Sequence, residues 1–181
     1  ADSDFAAVGP DRVFDTRPGE SPAALRQVAK SKVSGAYVLE VQVSDLPGLV
    51  PPTGVGAVSM NVAVTNTEGA GFVTVYPCGD TRPLASNVNF RRGVNVANLV
   101  TAKVGRDGRV CMYASSQTQL VADLSGWYAD DFASVPGFFY EPLSPERIVD
   151  TRDGTGLGSR AVGQLAAGEV FLAKVRLFRV P

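Results

Sequence analysis

Apolar and polar residues alternate with a period of two through most of this chain, which leaves little room for any fold except packed sheets. In residues 56–66, GAVSMNVAVTN, the valines fall on one side while Ser59 and Asn61 fall on the other, the pattern of a half-buried strand. Prolines cluster between such runs. Similar runs occupy residues 37–43, 71–77, 98–104, 109–114 and 119–128. The sequence therefore predicts an all-β fold, an antiparallel β-sandwich or jelly-roll.

Two connecting segments carry signals of their own. Residues 105–109, GRDGR, join two strand-like runs and contain the Asp-Gly pair that favours tight hairpin turns. Residues 21–32, SPAALRQVAKSK, are the only candidate for a helix, and the segment is short. We expect a hairpin turn at the first segment and at most a short helix at the second.

Composition excludes several classes of partner. A chain of 181 residues is long enough for one well-cored domain. Its formal net charge of -1 offers no broad attraction to nucleic acid or anionic lipid, and no apolar run approaches the ~20 residues that span a bilayer. We therefore expect no nucleic-acid partner and no insertion into a membrane.

The two cysteines, Cys78 and Cys111, lie at the edges of strand-like runs. An even pair in such positions suits a cross-link between neighbouring strands in an oxidising compartment, and two buried free thiols are the alternative. A disulfide here closes a loop of 111 − 78 = 33 residues, which corresponds to about 3–4 kcal/mol in the chain-entropy model.

One segment of the chain is repeated. Residues 10–20, PDRVFDTRPGE, align without gaps on residues 145–155, PERIVDTRDGT, at an offset of 135 residues. The likeness extends to residues 37–47 and 169–181, so residues 1–142 form a complete repeat and residues 143–181 the opening of a second. We expect the partial repeat to pack on the first. Alternatively the chain belongs to a longer array, or the partial repeat completes the sheet of another molecule and causes self-association.

The DTR triplet inside the repeat is a candidate site. Asp15 and Asp150 can accept backbone hydrogen bonds from the turn that follows each of them, while Arg17 and Arg152 carry planar forks that pair with carboxylates. Two interpretations stay open. In the first the triplet is a structural buckle, in which aspartate and arginine pair and fix the backbone where the strand ends. In the second the same side chains bind a sugar or an acidic cell-wall group. A third triplet in residues 79–83, GDTRP, lacks the preceding apolar residues and is interpreted as a coincidental turn.

Amide and aromatic side chains supply further candidates for ligand binding. Asn87 and Asn89 alternate with apolar residues, and amides both donate and accept hydrogen bonds, as sugar hydroxyls require. Their alternative role is to satisfy loop backbone in the interior. Trp127, the only tryptophan, either packs in the core or offers a platform on which a sugar ring stacks.

The order of motifs in residues 9–130 resembles a module repeated in secreted and cell-surface proteins of actinobacteria. The segments that carry the resemblance are PDRVFDTRPG, then GVGAVSMNVAVTNTEGAGFVTVYPCGDTRPLASNVNF, then ANLVTAKVGRDGRVCMYASSQTQLVADLSGWY. The resemblance implies an exported, β-rich accessory or adhesive module, and it supplies no catalytic residues.

The absence of histidine limits catalytic chemistry. It removes Ser-His-Asp and Cys-His systems and the usual zinc ligand sets. A glycoside hydrolase based on two carboxylates is compatible with the residue types, since Asp15, Asp123, Glu146 and Asp150 are available. Calcium is a further option at the second triplet, where Asp150 and Asp153 flank a turn. We expect no catalytic residues and no other metal or cofactor.

Together these patterns predict a secreted, non-enzymatic module that acts outside the cell or at its surface by adhesion or by binding carbohydrate or cell wall. The first alternative is a structural subunit of an extracellular assembly whose chains exchange strands. The second is a glycoside hydrolase. We assume that any signal peptide has been removed from this form of the chain.

Overall fold

The computed structural model describes residues 5–35, 37–130 and 149–172, and it divides the chain into two compact units, Ala1–Tyr140 and Glu141–Pro181. All regular strands of the described residues lie in the first unit. They are β1 Phe5–Asp15, β2 Leu39–Gln42, β3 Val55–Thr65, β4 Gly71–Pro77, β5 Val88–Phe90, β6 Val96–Lys103, β7 Arg109–Ala114 and β8 Gln119–Ala129.

The eight strands form two antiparallel sheets of four strands each. The first sheet has the order β1-β8-β3-β6, and the second has the order β2-β7-β4-β5. In sequence order the first strand pairs with the last, and each following pair lies inside the previous one: β1 with β8, β2 with β7, β3 with β6 and β4 with β5. This nested pairing is the topology of an eight-stranded jelly-roll, so the prediction of an all-β sandwich is confirmed.

The core lies between the two sheets and is built from the inward face of each strand. On β3 the inward residues Val58, Met60, Val62 and Val64 are fully buried. The second sheet supplies Val73 and Val75 from β4, Leu39 and Val41 from β2, and Val110 and Met112 from β7. In β3 the fully buried residues therefore recur with the period of two that the sequence displays, because successive side chains of a strand point to opposite faces.

The strand-like runs of the sequence correspond closely to β2, β3, β4, β6, β7 and β8, whereas the sequence analysis did not predict β5 or the full length of β1. In β1 the register shifts between Ala7 and Asp11, around Gly9 and Pro10. Such an irregularity breaks the alternation that marks a strand, and proline in a strand is typical of bulges. β5 has three residues, too few for a periodic signal.

The one candidate for a helix, residues 21–32, lies along the edge of β1 without helical structure. The amide of Leu25 donates to the carbonyl of Arg12 at 3.0 Å, and the amide of Arg26 donates to the carbonyl of Val13 at 2.7 Å. The Arg26 guanidinium then reaches the second sheet, where it donates to the carbonyls of Gln42 and Ser44 at 3.1 and 2.9 Å. Arg26 thus ties one edge of each sheet together.

The segment 105–109 turns tightly, as predicted, but it does not join a paired hairpin. The amide of Gly108 donates to the carbonyl of Gly105 at 2.9 Å, which closes the turn. The strands on either side, β6 and β7, belong to different sheets. A local turn signal therefore correctly indicated the reversal and gave no information about which strands pair.

The predicted disulfide is confirmed. Cys78 follows β4 directly, Cys111 lies on the adjacent strand β7, and the two residues are bonded with their Cα atoms 5.0 Å apart. The bond closes a loop of 33 residues across the second sheet. Among the described residues there is no helix with the length and apolar character needed to span a membrane.

Within the second unit, the described residues 149–172 form successive turns. The amide of Asp150 donates to the carbonyl of Thr155 at 2.9 Å, and Arg160 pairs with Glu169 at 2.7 Å. The predicted boundary between residues 142 and 143 lies outside the described residues, as does most of the strand expected in residues 169–181. That the partial repeat packs on the first repeat stays a prediction.

Candidate functional site

The first DTR loop follows β1, and its aspartate is completely buried. Asp15 Oδ1 accepts the backbone amide of Arg17 at 2.9 Å, the hydrogen bond that the sequence predicts for a turn residue. The Arg17 side chain adds a two-point contact, with Nε 3.0 Å from Oδ1 and Nη2 2.7 Å from Oδ2. The triplet therefore closes on itself through one amide and one guanidinium.

Residues from outside the triplet also bind Asp15. Arg12 Nη1 donates to Asp15 Oδ2 at 3.1 Å, and the Ser21 hydroxyl donates to the same oxygen at 2.9 Å. The other side of the Arg12 guanidinium pairs with Asp123 on β8. Arg12 thus lies between two carboxylates and links the loop to the neighbouring strand.

Thr16, the middle residue of the triplet, continues the pairing of β1 with β8. Its amide donates to the carbonyl of Leu120 at 2.9 Å, and its hydroxyl accepts the amide of Leu120 at 2.8 Å. Lys30 covers the loop from the other side, donating to the Asp15 carbonyl at 2.7 Å. These contacts hold the backbone of the triplet as well as its side chains.

The carboxyl group of Asp15 is kept ionised. Burial alone raises its pKa, but hydrogen bonds from the Arg17 side chain and backbone and from Ser21 outweigh burial and hold the pKa well below its usual range. A general acid needs a raised pKa so that it can hold a proton. Asp15 is therefore poorly suited to act as the general acid of a glycoside hydrolase.

The second DTR loop repeats the contacts inside the first. Asp150 Oδ1 accepts the amide of Arg152 at 2.9 Å, and the Arg152 guanidinium binds the carboxylate through Nε at 2.9 Å and Nη2 at 2.7 Å. The residue equivalent to Arg12 is Arg147, which lies outside the described residues, as does Glu146. The shared sequence thus produces the same local geometry at both places.

Among the described residues, the two aspartates of the second loop make hydrogen bonds within the turn. The Asp150 carboxylate is occupied by Arg152, and Asp153 Oδ1 accepts the amide of Thr155 at 2.9 Å. Within residues 5–35, 37–130 and 149–172, no group of three or more His, Cys, Asp or Glu side chains is placed to hold a metal ion. The geometry of these two aspartates is that of a turn.

The third triplet behaves differently, as predicted for a coincidental match. Asp80 is exposed in a turn after β4, where its amide donates to the carbonyl of Pro77 at 3.3 Å. Arg82 turns away and lies over the ring of Tyr113, with its Cζ atom 3.7 Å from the ring centroid. The same triplet therefore forms a different structure where the apolar residues that precede Asp15 and Asp150 are missing.

Trp127 and Asn87 have structural roles, Trp127 in the core and Asn87 as a partner of backbone. Trp127 is 4% exposed within the core, so its ring offers no face to a sugar, which corrects its assignment as a ligand-binding candidate. Asn87 Oδ1 accepts the amide of Val75 at 2.8 Å and thereby extends the pairing of β5 with β4. Asn89, by contrast, is exposed on the outer face of β5.

A shallow groove lies on the outer face of the second sheet, beside Asn89. Its floor is Phe72 of β4, and its wall is the segment 82–86. We call this feature the aromatic groove and define it by Phe72, Arg82, Pro83, Leu84, Ala85 and Ser86, which enclose about 260 Å³. Its walls are mainly apolar, as is usual for small-ligand sites.

The floor of the aromatic groove is held rigidly. The amide of Phe72 donates to the Ser115 hydroxyl at 2.9 Å, and the amide of Ser115 donates back to the Phe72 carbonyl at 3.0 Å. The Phe72 ring lies 6.0 Å from the ring of Tyr113, in a tilted arrangement typical of aromatic pairs. The backbone of Phe72 is therefore fixed by Ser115, and its ring packs against Tyr113.

The wall of the groove is anchored at both ends. The disulfide of Cys78 fixes the start of the segment that connects β4 to β5. Further along this segment, the Thr74 hydroxyl donates to the Ala85 carbonyl at 2.6 Å. Near the other end, the Ser86 hydroxyl donates to Asn89 Oδ1 at 2.9 Å, which adds a polar rim. Leu84, at the crest of the wall, is fully exposed.

A second cleft, of about 390 Å³, lies elsewhere on the first unit among residues 52–56 and 103–108. Glycine backbone forms much of its wall, and none of the described residues that line it is aromatic. The aromatic groove therefore suits a sugar ring better, because carbohydrate recognition combines an apolar ring face with hydroxyl-binding polar groups.

Asn89, named as a candidate from the sequence, lies beside the groove, and the residues that line the groove were not named from the sequence. Phe72 and Tyr113 each face outward by strand alternation, but 41 residues separate them in the chain. Only the pairing of β4 with β7, which sets Thr74 opposite Tyr113, brings the two rings together. No local pattern in the sequence carries that information.

The fold and the groove together define a jelly-roll β-sandwich with a preformed aromatic groove on its second sheet. No family model, curated protein or solved structure matches the chain.

Proposed function

We propose that this protein is an exported, non-enzymatic module of the actinobacterial cell surface that binds a glycan in the aromatic groove. The observation that carries the proposal is the position of Phe72, whose backbone is held by Ser115 and whose partly exposed ring packs against Tyr113 beside a polar rim. A pyranose ring presents an apolar face and a border of hydroxyls, so Phe72 suits its face while Ser86 and Asn89 suit its border.

The disulfide supports the proposed location. Bonds of this kind persist in secreted and surface proteins and are rare in the cytosol. The resemblance of residues 9–130 to a module of secreted actinobacterial proteins points the same way. The DTR loops supply no ligand contact in this proposal, because the oxygens of Asp15 are already bound to arginine and serine.

The proposal is tested by measuring binding of the intact chain to a glycan panel and to purified peptidoglycan. We expect the intact chain to bind at least one glycan. Phe72→Leu should weaken this binding, because leucine keeps the apolar volume and removes the flat ring. Leu84→Ser should weaken affinity by about fivefold, the effect of one lost apolar contact of ~1 kcal/mol at the groove crest.

The matched control is Leu99→Ser. Leu99 is a 62% exposed leucine on β6 of the first sheet, so its replacement removes a comparable apolar side chain away from the groove. The groove is not the binding site if Leu84→Ser and Leu99→Ser weaken binding equally, or if Phe72→Leu and Leu84→Ser leave binding unchanged. Failure to bind any glycan at millimolar concentration contradicts the proposed function itself.

A further inference from the structure

Arg82 differs from the arginines of the DTR loops in how it is held. Its guanidinium carbon lies over the Tyr113 ring, 3.7 Å from the ring centroid, an attraction between a cation and the negative face of an aromatic ring. Within the part of the chain that the structure describes, this is the contact that positions it. Stacking occupies the face of the guanidinium and leaves the N–H groups along its edge, where a planar fork binds a carboxylate.

The other arginines near functional candidates already bind oxygen acceptors. Arg17 and Arg152 use both points of their forks on their own aspartates, and Arg26 donates to carbonyls of the second sheet. Arg82 is exposed and lines the aromatic groove beside Phe72. Its position therefore combines an ordered cation with an aromatic floor and direct access for a ligand.

The charges nearby leave this cation available. On the same outer face, Glu40 of β2 is paired with Arg109 of β7 at 3.6 Å. Asp80 lies two residues before Arg82 and is exposed in the preceding turn. The described residues that form the groove itself include one charged side chain, that of Arg82. A ligand with a negative group complements that charge.

We infer that the aromatic groove binds an acidic saccharide, with the sugar ring on Phe72 and its carboxylate on the edge of Arg82. This inference rests on the proposed function and names its ligand class. A carboxylate matches the guanidinium fork in shape, and a hydrogen bond between charged partners is stronger than one between neutral groups. The small volume of the groove suits a single sugar ring at the recognition point.

The test compares sugars that differ only by the acidic group. Affinities of the intact chain are measured by calorimetry for oligomers of galacturonic acid and their methyl esters, for glucuronides and glucosides, and for N-acetylmuramic acid and its methyl ester. We expect at least one acidic member to bind about tenfold more tightly than its neutral partner, and the advantage to shrink as salt is raised.

Arg82→Gln should remove that advantage, so that the acidic and neutral members of each pair bind with similar affinity. Arg82→Lys keeps the charge without the planar fork, so an intermediate affinity is expected. Arg106→Gln is the matched control, since Arg106 is an exposed arginine in the 105–109 turn, outside the groove. Thermal unfolding of each variant verifies that it is folded.

The outcomes separate the two proposals. Equal binding of every acidic and neutral pair, or an acid preference that Arg82→Gln leaves intact, overturns the assignment of Arg82 while groove-dependent glycan binding stands. If no sugar in the glycan panel binds, both the proposed function and this inference fail.

Discussion

The two DTR loops have the same internal geometry in different surroundings. In each loop the aspartate accepts the amide two residues later and the arginine binds both carboxylate oxygens, with the shorter arginine contact at 2.7 Å in both. The Arg17 side chain is 30% exposed, however, while that of Arg152 is 79% exposed. The triplet together with the apolar residues before it therefore specifies the turn, and the surrounding fold determines how strongly the turn is embedded.

The sixth residue after each aspartate shows how the loops diverged. Ser21 and Gly156 occupy equivalent positions, and both have a left-handed backbone, with φ of 49° and 66°. Glycine adopts this conformation without steric cost, whereas serine is strained in it. In the first loop the Ser21 hydroxyl offsets that strain by binding Asp15 and by accepting a hydrogen bond from Arg12 at 3.0 Å.

The largest difference between the loops should appear on neutralising each aspartate. Asp15→Asn should lower the free energy of unfolding by about 3 kcal/mol, the low end for a broken buried ion pair, because its arginine partners retain part of their surface in water. Asp150→Asn should have a smaller effect. Asp80→Asn, in the third triplet, should have none, because Asp80 is exposed. Denaturant unfolding measures all three, and equal losses at Asp15 and Asp80 would refute the structural role.

Acid should weaken the first loop selectively. The folded-state pKa of Asp15 lies below its unfolded value, so its stabilisation is present above about pH 4 and is lost as pH falls through the folded-state pKa. The difference in unfolding free energy between the wild type and Asp15→Asn should therefore shrink below about pH 4. Unfolding midpoints from pH 7 to 2 test this, with Asp80→Asn as control. A constant difference across that range would contradict it.

Replacing each arginine by lysine should show whether the two-point contact of the guanidinium is needed or a positive charge is enough. Arg17→Lys keeps the charge but loses the two-point contact, so we expect a loss of about 1–2 kcal/mol in unfolding free energy. Arg152→Lys should leave global unfolding unchanged, since Arg152 is solvent-exposed. Hydrogen exchange at the two loop amides provides a local measurement. If Arg152→Lys lowered the free energy of unfolding as much as Arg17→Lys, the surroundings of each loop would have no effect on its contribution to stability.

The smallest effect should come from exchanging the divergent residue. Ser21→Ala loses the hydroxyl contacts and keeps the backbone strain, whereas Ser21→Gly loses the contacts and relieves the strain. We expect the alanine variant to be less stable than the glycine variant by about 1 kcal/mol. Their unfolding midpoints under identical conditions give the comparison. A glycine variant less stable than the alanine variant would show that the positive φ carries no cost here.

Sequence patterns predicted most of the strands because burial of one sheet face imposes a period of two. Val58, Met60, Val62 and Val64 carry that signal in β3, and the structure buries all four. The bulged half of β1 and the three residues of β5 lack it, so both were missed. The one candidate for a helix, residues 21–32, is not helical because its amides are used at the edge of β1, a partner that helical spacing cannot reveal.

The candidate site was less predictable than the fold. The buckle of Asp15 and Arg17 is formed by residues two apart, so a short motif sufficed to identify it. Asn89 was found by its alternation with apolar residues, but the same pattern gave Asn87 equal weight, and the structure uses Asn87 to bind backbone. Alternation tells which side a residue faces and not what stands beside it.

The sequence by itself determined the elements that depend on near neighbours: the strand faces, the DTR turns, the tight turn at 105–109 and the presence of a cysteine pair beside strand-like runs. Tertiary structure alone decided which strands are adjacent. It separated β6 from β7, placed Arg12 between Asp15 and Asp123, and set Arg82 and Phe72 against Tyr113. The physical reason is that strand alternation and turn chemistry are local, whereas strand pairing is a choice among distant segments that the packing of the whole core resolves.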